Sequence, residues 1–307
     1  MKRDRDGPAV VLRGETFMAS RTISSVIQAR RQLEGEGFPI RRPFPTPALP
    51  DLDPFLMLDE VGPVDYPPGQ ALGAPDHPHR GFETVSYLLA GEKLHEDSAG
   101  GRQLLRPGDV QWMTAGAGIV HSELPGPEFK AAGGRAHSFQ IWVNLPAERK
   151  AATPGYQHLP AAEIPIAEAP AGGIAVAVIA GEAFGVAARI GTSTPVWLQD
   201  WRVAAGAAAE VPIPSHFNVA AYVFEGAVAF GPDRTVIADG SLAIFAPGDA
   251  LEIAAPAGSA GGRFLLLAGE PLNEPVARYG PFVMNTQAEI AQAVEDFRAG
   301  RMGAIAR

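Results

Sequence analysis

Apolar and polar residues alternate over short stretches along much of the chain, which is the two-residue period of a β-strand. The pattern is clean in residues 137–145, where Phe139, Ile141, Val143 and Leu145 fall on one face. Other apolar or alternating stretches occupy residues 53–63, 82–89, 103–106, 110–113 and 119–123. Gly and Pro separate these stretches at the short intervals typical of β-sandwiches and barrels. The pattern predicts an all-β chain of the jelly-roll type.

One stretch near the C-terminus has a helical period instead. Thr286 and Glu289 have the spacing of a capping box, and Gly300 is a typical stop signal. Between them, one helical face carries three apolar residues, Ile290, Val294 and Phe297. We expect a short amphipathic α-helix that packs on a barrel.

The second half of the chain repeats motifs of the first half. YLLAGE (Tyr87–Glu92) returns as YVFEGA (Tyr222–Ala227), and LLRPGDV (Leu104–Val110) returns as IFAPGDA (Ile244–Ala250). Residues 146–173 are rich in Ala and Pro and lose periodicity, as a linker does. We therefore expect two barrels in tandem. The expected divisions are an N-terminal extension (1–20), a first barrel (21–147), a second barrel (148–284), and a C-terminal helix and tail (285–307).

Two short motifs carry side chains of the kind that bind metal ions. HPHRGFE, which begins at His77, contains His-x-His, and HSE, which begins at His121, contains His-x-Glu. Residues two apart on a strand share a face and lie about 6.8 Å apart along it, so both can lean toward one ion. Pro78 indicates that the first pair lies at a strand end or edge. Pairing of the two strands predicts four converging ligands: His77, His79, His121 and Glu123.

The second copy of the repeat lacks such ligands. Alignment on the tyrosines places Pro212 and Pro214 at the first ligand pair, and alignment on Pro-Gly-Asp places Gly261 and Arg263 at the second. The side chains of Pro and Gly offer no donor atom, and Arg stays cationic. We expect a metal in the first barrel alone.

Composition narrows the classes of protein. The chain of 307 residues is 46% hydrophobic, which is enough for two domains with large cores. It has no cysteine, so nitrogen and oxygen must hold any metal. The net charge of −9, without a dense Lys/Arg block, argues against direct nucleic-acid binding. No long apolar run follows the N-terminal charges, so we expect neither a signal peptide nor a membrane span, and a cytoplasmic location.

Long motifs in the chain closely resemble the pirin family, whose members are two-domain cupins. The matching strings are DHPHRGFETVSYLLAGE (76–92), HED (95–97), PGDVQWMTAGAGIVHSE (107–123), IWVNLP (141–146) and GPFVMNT (280–286). The resemblance implies two small β-barrels, the first holding one Fe(II) through His77, His79, His121 and Glu123. Ligand type alone leaves Mn, Ni, Cu and Zn open.

Two further residues enter through the same resemblance. Glu83 stands where many single-domain cupins carry a ligand, so it remains an alternative to Glu123. His95 matches the family motif but is not one of its ligands, and we expect it in a loop at the mouth of the cleft.

The resemblance also implies an activity. Pirins are associated with quercetin 2,3-dioxygenase activity, in which O₂ is the second substrate. In that reaction Glu123 would take the proton of the flavonol 3-hydroxyl, and the heterocyclic ring would open with loss of carbon monoxide. We accordingly expect a small phenolic substrate and a monomeric protein.

Two other functions fit the same ligands. Eukaryotic pirins are described as iron-dependent regulators that bind transcription-factor partners, so a protein partner without catalysis is one alternative. A cupin isomerase, or a simple metal-binding protein that uses the ion as a Lewis acid, is the other.

Overall fold

The computed structural model describes residues 19–307. The extension expected at residues 1–20 therefore lies outside the described residues, apart from its last two. Ser20 makes a parallel bridge to Ala250 of the second barrel. Within residues 19–307, no helix combines the length and the apolar character needed to cross a membrane.

The first half of the chain forms an antiparallel β-barrel. In chain order its elements, and the strand that precedes it, are β1 (Ile23–Gln28), β2 (Arg30–Glu34), β3 (Phe38–Phe44), β4 (Phe55–Tyr66), β5 (Ala74–His79), β6 (Phe82–Ala90), β7 (Lys93–Asp97), β8 (Arg102–Leu105), β9 (Val110–Thr114), β10 (Ile119–Pro125), α1 (Pro127–Ala132), β11 (Gly134–Asn144) and β12 (Gly155–Leu159). One sheet has the order β12-β9-β6-β11-β4-β3-β2, and the other has the order β5-β10-β7-β8.

The second half forms another antiparallel barrel and ends in a helix. Its elements are β13 (Ile166–Glu168), β14 (Ile174–Ala180), β15 (Glu182–Ala183), β16 (Val186–Ala187), β17 (Val196–Ala204), β18 (Ala208–Pro212), β19 (Asn218–Phe230), β20 (Thr235–Ala238), β21 (Ser241–Phe245), β22 (Ala250–Ala254), β23 (Gly261–Gly269), β24 (Ala277–Tyr279), β25 (Phe282–Met284) and α2 (Gln287–Arg298). Short 3-10 helices lie at Ala147–Arg149, between β11 and β12, and at Ala161–Glu163, between β12 and β13. The predicted all-β class, with tandem barrels and a short C-terminal helix, is confirmed.

The barrels share one apolar core. Val85, Tyr87 and Phe139 of the first barrel pack in the same buried cluster as Tyr222 and Leu265 of the second. In the first barrel, the side chains in this core come from the sheet β12-β9-β6-β11-β4-β3-β2. They lie on the face of that sheet that points away from β5 and β10. A separate cluster fills the interior of the second barrel and includes Trp201, Phe230 and Phe264.

Two similar polar contacts cross the interface between the barrels. The Tyr87 hydroxyl donates to Asp200, 2.7 Å away, and Arg263 donates to the same carboxylate. Conversely, the hydroxyl of Tyr222 in the second barrel donates to Glu60 in the first barrel at 2.7 Å. Arg41 and His137 bind that carboxylate as well. Each buried carboxylate is therefore satisfied by a tyrosine of the other barrel, which fixes how the two sheets meet.

The chain ends exchange between the barrels, which differs from the expected domain boundaries. β1 pairs with β21 of the second barrel, whereas β12 pairs with β9 of the first. β25 and α2 pack on the outer face of β10, in a cluster with Val120, Phe282, Ile290 and Ala293. Residues 23–28 thus belong structurally to the second barrel, and residues 277–307 contact the first. The sequence motifs are local, so they do not reveal which sheet a terminal strand joins.

Candidate metal centre

Three histidines come together at one end of the first barrel. β5 pairs with β10 so that His77 lies directly opposite His121 and His79 lies opposite Ile119. One nitrogen from each of His77, His79 and His121 lies within 4.8 Å of the other two. We call these three residues the histidine group. The structure thus brings together three of the four side chains that the spacing predicts.

The other nitrogen of each ring has a hydrogen-bond partner. His77 Nδ1 lies 2.7 Å from the carbonyl oxygen of Pro75, and His79 Nδ1 lies 3.4 Å from that of Pro281. Because a carbonyl oxygen only accepts, both Nδ1 atoms carry a proton, so Nε2 is the nitrogen of each ring that can bind an ion. His121 Nδ1 instead lies 3.5 Å from His95 Nδ1.

Burial keeps the two inner imidazoles neutral. It lowers the pKa of His79 to about 3, with a further contribution from the neighbouring His77. It also lowers the pKa of His121 well below its usual range, and the neighbouring histidines add to the effect. A neutral imidazole is the form that binds a metal ion.

The nitrogen positions fit a shared cation. His77 Nε2 and His79 Nε2 are 3.1 Å apart, and neither atom is used in its ring's contact with a backbone carbonyl. Two nitrogens bound at about 2.1 Å and at a right angle around one ion would be about 3.0 Å apart. His121 Nε2 is buried and has no hydrogen-bond partner in the described part of the chain. A buried polar atom of this kind calls for a ligand, and a divalent cation meets that requirement.

Glu123 lies on β10 two residues beyond His121, and its carboxylate is not part of the cluster formed by the histidine group. Its Oε1 accepts from Ser86 Oγ at 2.6 Å, from Gln111 Nε2, and more weakly from Lys93 Nζ at 3.5 Å. Its Oε2 has no hydrogen-bond donor among residues 19–307. Burial alone would raise the pKa of Glu123, but Lys93 and the Ser86 hydrogen bond outweigh it and lower the pKa. The side chain is therefore an ionised carboxylate with one oxygen free.

Glu83 lies on β6, and its side chain points to the face of the sheet opposite the histidine group. Its Oε1 accepts from Thr114 Oγ1 at 2.7 Å and from Ser193 Oγ of the second barrel at 2.9 Å. Ser86, three residues along, points to Glu123 instead, because an odd spacing on a strand reverses the face. Glu83 is thus aimed at the interface between the barrels, away from the histidine group.

His95 is placed differently from the sequence expectation of a loop at the cleft mouth. It lies on β7, fully buried, opposite Glu123 on β10. Its Nε2 is 2.9 Å from Asp97 Oδ2, and its ring stacks on Tyr156 with the centroids 4.6 Å apart. The alternation in HED gave a weak signal of this arrangement, since it places His95 and Asp97 on one face of a strand.

The second barrel has an apolar interior at the matching place. There β18 pairs with β22 as β5 pairs with β10, and Val211, Leu251 and Ile253 fill the space between the sheets. The alignment on Pro-Gly-Asp was wrong about the equivalent strand. Gly261 and Arg263 lie on β23, which pairs with β17 and β19 as β11 pairs with β4 and β6.

Comparisons with known proteins agree with this architecture. A family model described as Pirin matches residues 37–143, and one described as Pirin C-terminal cupin domain matches residues 198–303. The chain is 43% identical to pirin of Homo sapiens over 290 residues, covering 93% of this chain and 95% of that protein.

Two further relatives carry the name of an enzyme. The chain is 42% identical to a putative quercetin 2,3-dioxygenase of Pseudomonas aeruginosa over 273 residues, covering 87% of this chain and 93% of that protein. A crystal structure of quercetin 2,3-dioxygenase from Acinetobacter baumannii superposes with a TM-score of 0.87 and 37% identity, covering 94% of this chain and all of that chain. With both family models matched and relatives above 40% identity over nearly its full length, the chain belongs to the pirin family.

Proposed function

We propose that the protein is an Fe(II)-dependent dioxygenase of the quercetin 2,3-dioxygenase type, acting on flavonols or similar enolisable phenols. The observation that carries this proposal is the convergence of three imidazoles, with a buried and unpartnered Nε2 on His121. The names of the relatives in Pseudomonas and Acinetobacter support the reaction type. When bound, iron would supply Lewis acidity toward the phenol and a redox centre for O₂.

Glu123 is the fourth ligand in this proposal, as well as the base. It follows His121 by two residues, so both side chains leave the same face of β10. Ser86, Gln111 and Lys93 hold Oε1 in place, so Oε2 is the atom left to approach the ion or to accept the proton of the substrate hydroxyl. Glu83 does not fit this role because its carboxylate is bound at the interface between the barrels.

One experiment separates the proposed function from its alternatives. Anaerobically purified protein is loaded with Fe(II), its metal content is measured, and quercetin and O₂ are then added. We expect loss of the flavonol absorbance together with release of one carbon monoxide per quercetin consumed. Metal-free protein serves as the control. Stoichiometric iron with unchanged flavonol would overturn the proposal and favour a regulatory, partner-binding role for the same site.

A further inference from the structure

Behind the histidine group, three side chains lie in a row. Asp97 Oδ2 is 2.9 Å from His95 Nε2, and His95 Nδ1 is 3.5 Å from His121 Nδ1. All three residues are buried, and His95 and His121 are completely so. Asp97 faces His121 across the β7–β10 pair. We call Asp97 and His95 the relay.

Each proton in this row has a defined place. Asp97 Oδ1 accepts from the backbone N–H groups of Ala99 at 2.8 Å and Gly101 at 2.9 Å, so the carboxylate acts as an acceptor. Its Oδ2 therefore requires a proton on His95 Nε2. When each ring carries one proton, His95 Nδ1 has the lone pair. That lone pair in turn requires the proton of His121 on Nδ1. His121 Nε2, the buried atom without a partner, is then free to bind a cation.

The relay differs from the partners of the other two ligands. His77 and His79 each face a backbone carbonyl, which only accepts. His95 could accept or donate at Nδ1, so by itself it would not decide the tautomer of His121. The carboxylate of Asp97 fixes the tautomer because it accepts the proton of His95 Nε2. Stacking on Tyr156 holds the His95 ring in its plane.

We infer that Asp97 and His95 are positioning residues for the metal centre, which act through His121 by keeping its proton on Nδ1 and its Nε2 lone pair directed at the ion. The inference rests on the proposed metal site but not on the reaction catalysed there. Carboxylate–histidine pairs behind a metal ligand fix its orientation and raise its basicity, and their loss weakens metal binding by about 10- to 100-fold.

The decisive variant is Asp97→Asn. Its amide oxygen can keep the two backbone N–H contacts that Asp97 Oδ1 makes. The amide nitrogen then replaces Oδ2 and donates to His95 Nε2, which reverses every proton in the row. His121 is left with its proton on Nε2, where it competes with the metal. We expect the dissociation constant for Zn(II), used as a redox-inert probe, to rise by about 10- to 100-fold.

The first barrel offers a matched control in Asp109→Asn. Asp109 also accepts two backbone N–H groups, from Arg106 and Ala161, and it lies 3.2 Å from His158 Nε2. This pair has no contact with the histidine group within the described residues. We expect Asp109→Asn to leave Zn(II) affinity unchanged, so any general cost of replacing a turn carboxylate is subtracted.

The tautomer of His121 gives a readout that a merely structural role would not move. In metal-free protein labelled with ¹⁵N at histidine, the wild type should show the proton on Nδ1, and Asp97→Asn should show it on Nε2. No turnover is involved, so a failure of the proposed dioxygenase activity would leave this result intact. A wild-type proton on His121 Nε2, or unchanged tautomer and affinity in Asp97→Asn, would overturn the inference.

His95→Phe tests whether Asp97 acts through His95. Phenylalanine can still stack on Tyr156, but it removes the acceptor for His121 Nδ1. We expect weaker Zn(II) binding in His95→Phe and no further loss when Asp97→Asn is added. Additive losses would mean that the two residues act independently, contrary to the relay. If Asp97→Asn does not fold, weakened Zn(II) binding by folded His95→Phe supports the relay, and wild-type affinity overturns it.

Discussion

Glu123 and the three residues of the histidine group are held by different kinds of contact. Each imidazole of the histidine group is fixed through Nδ1, whereas Glu123 is fixed through one oxygen and keeps the other free. A carboxylate with one anchored and one free oxygen is suited to exchange between a metal and a proton. The anchors also keep its pKa low, so it is ionised before substrate arrives.

Replacement of Glu123 by Gln tests its role as a base. The amide is nearly the same size, but it is a poor ligand and cannot accept the substrate proton. We expect the rate of O₂-dependent quercetin loss to fall by about 10²- to 10⁴-fold at saturating Fe(II). Glu163→Gln is the control, because Glu163 is exposed and, among residues 19–307, pairs only with Arg189. Equal rates in the two variants would contradict the assignment.

The histidine group could be predicted because its geometry is mostly local. The spacing of His77 and His79 defines a shared strand face, and only the pairing of β5 with β10 had to be assumed. The role of His95 could not be predicted in this way. It depends on the register of β7 against β10, which brings Asp97 opposite His121. Register between strands far apart in sequence is set by packing of the whole sheet.

The start of helix α2 could be predicted from local sequence. The predicted capping box is confirmed, with Thr286 Oγ1 accepting from the Glu289 N–H at 3.2 Å and Glu289 accepting from the Thr286 N–H at 2.8 Å. The surface on which the helix packs could not be predicted from the residues of the helix. Its apolar face packs on Val120 of β10, so the helix supports the strand that carries His121 and Glu123 from the opposite face.

Loss of this cap should loosen the helix first. Thr286→Ala removes the side-chain acceptor of the Glu289 N–H, which costs about 1 kcal/mol in comparable helices. We expect faster amide hydrogen exchange in the first turn of α2, with the strands of the second barrel unaffected. Gln287→Ala, one residue along and exposed, should leave the exchange rates unchanged. Uniformly faster exchange would show instead that α2 unfolds only with the whole protein.

A buried lysine attaches the segment before α2 to the first barrel. Lys150 Nζ donates to Asn144 Oδ1 at 2.7 Å, to the Gly81 carbonyl at 2.8 Å and to the Val283 carbonyl at 3.2 Å. Val283 is two residues from the Pro281 carbonyl that receives His79 Nδ1. The lysine therefore anchors β25 close to the carbonyl group that accepts from His79.

Lys150→Met keeps the volume of the lysine but leaves three acceptors without their donor. Unsatisfied buried groups cost about 1–3 kcal/mol each, so we expect a clear fall in the melting temperature. Faster proteolytic cleavage in residues 270–285 should accompany it. Lys130→Met, at an exposed position of α1, should change neither. An unchanged melting temperature would mean that water replaces the ammonium group.

At the scale of the molecule, the two barrels form one unit. They share an apolar core, and β1 from the start of the chain joins a sheet of the second barrel. A tyrosine of each barrel also donates to a carboxylate of the other. The sequence repeat predicted the duplication but not this association. Tyr87 and Tyr222 were recognised as equivalent positions, yet nothing in the alternating pattern indicates that each hydroxyl reaches a carboxylate of the other barrel.

The shared interface should make stability depend on pH through Glu60. Burial alone would raise the pKa of Glu60, but hydrogen bonds from His137, Arg41 and Tyr222 outweigh it and lower the pKa below the usual 4.5. A carboxyl whose pKa is lowered by folding stabilises the protein fully above its unfolded pKa. That contribution is lost as the pH falls below about 4.5 toward the folded value.

Comparison of the wild type with Glu60→Gln isolates this contribution from other groups that titrate in acid. We expect the variant to have the lower melting temperature at pH 7, because Gln cannot form the charged contact with Arg41. The difference should stay constant down to about pH 5 and shrink below pH 4.5, because protonation then removes the same charge from the wild type. Glu163→Gln, which replaces an exposed carboxylate, should follow the wild type throughout. A difference that grows on acidification would mean that Glu60 is protonated in the folded protein at neutral pH, and that the two barrels meet through neutral hydrogen bonds.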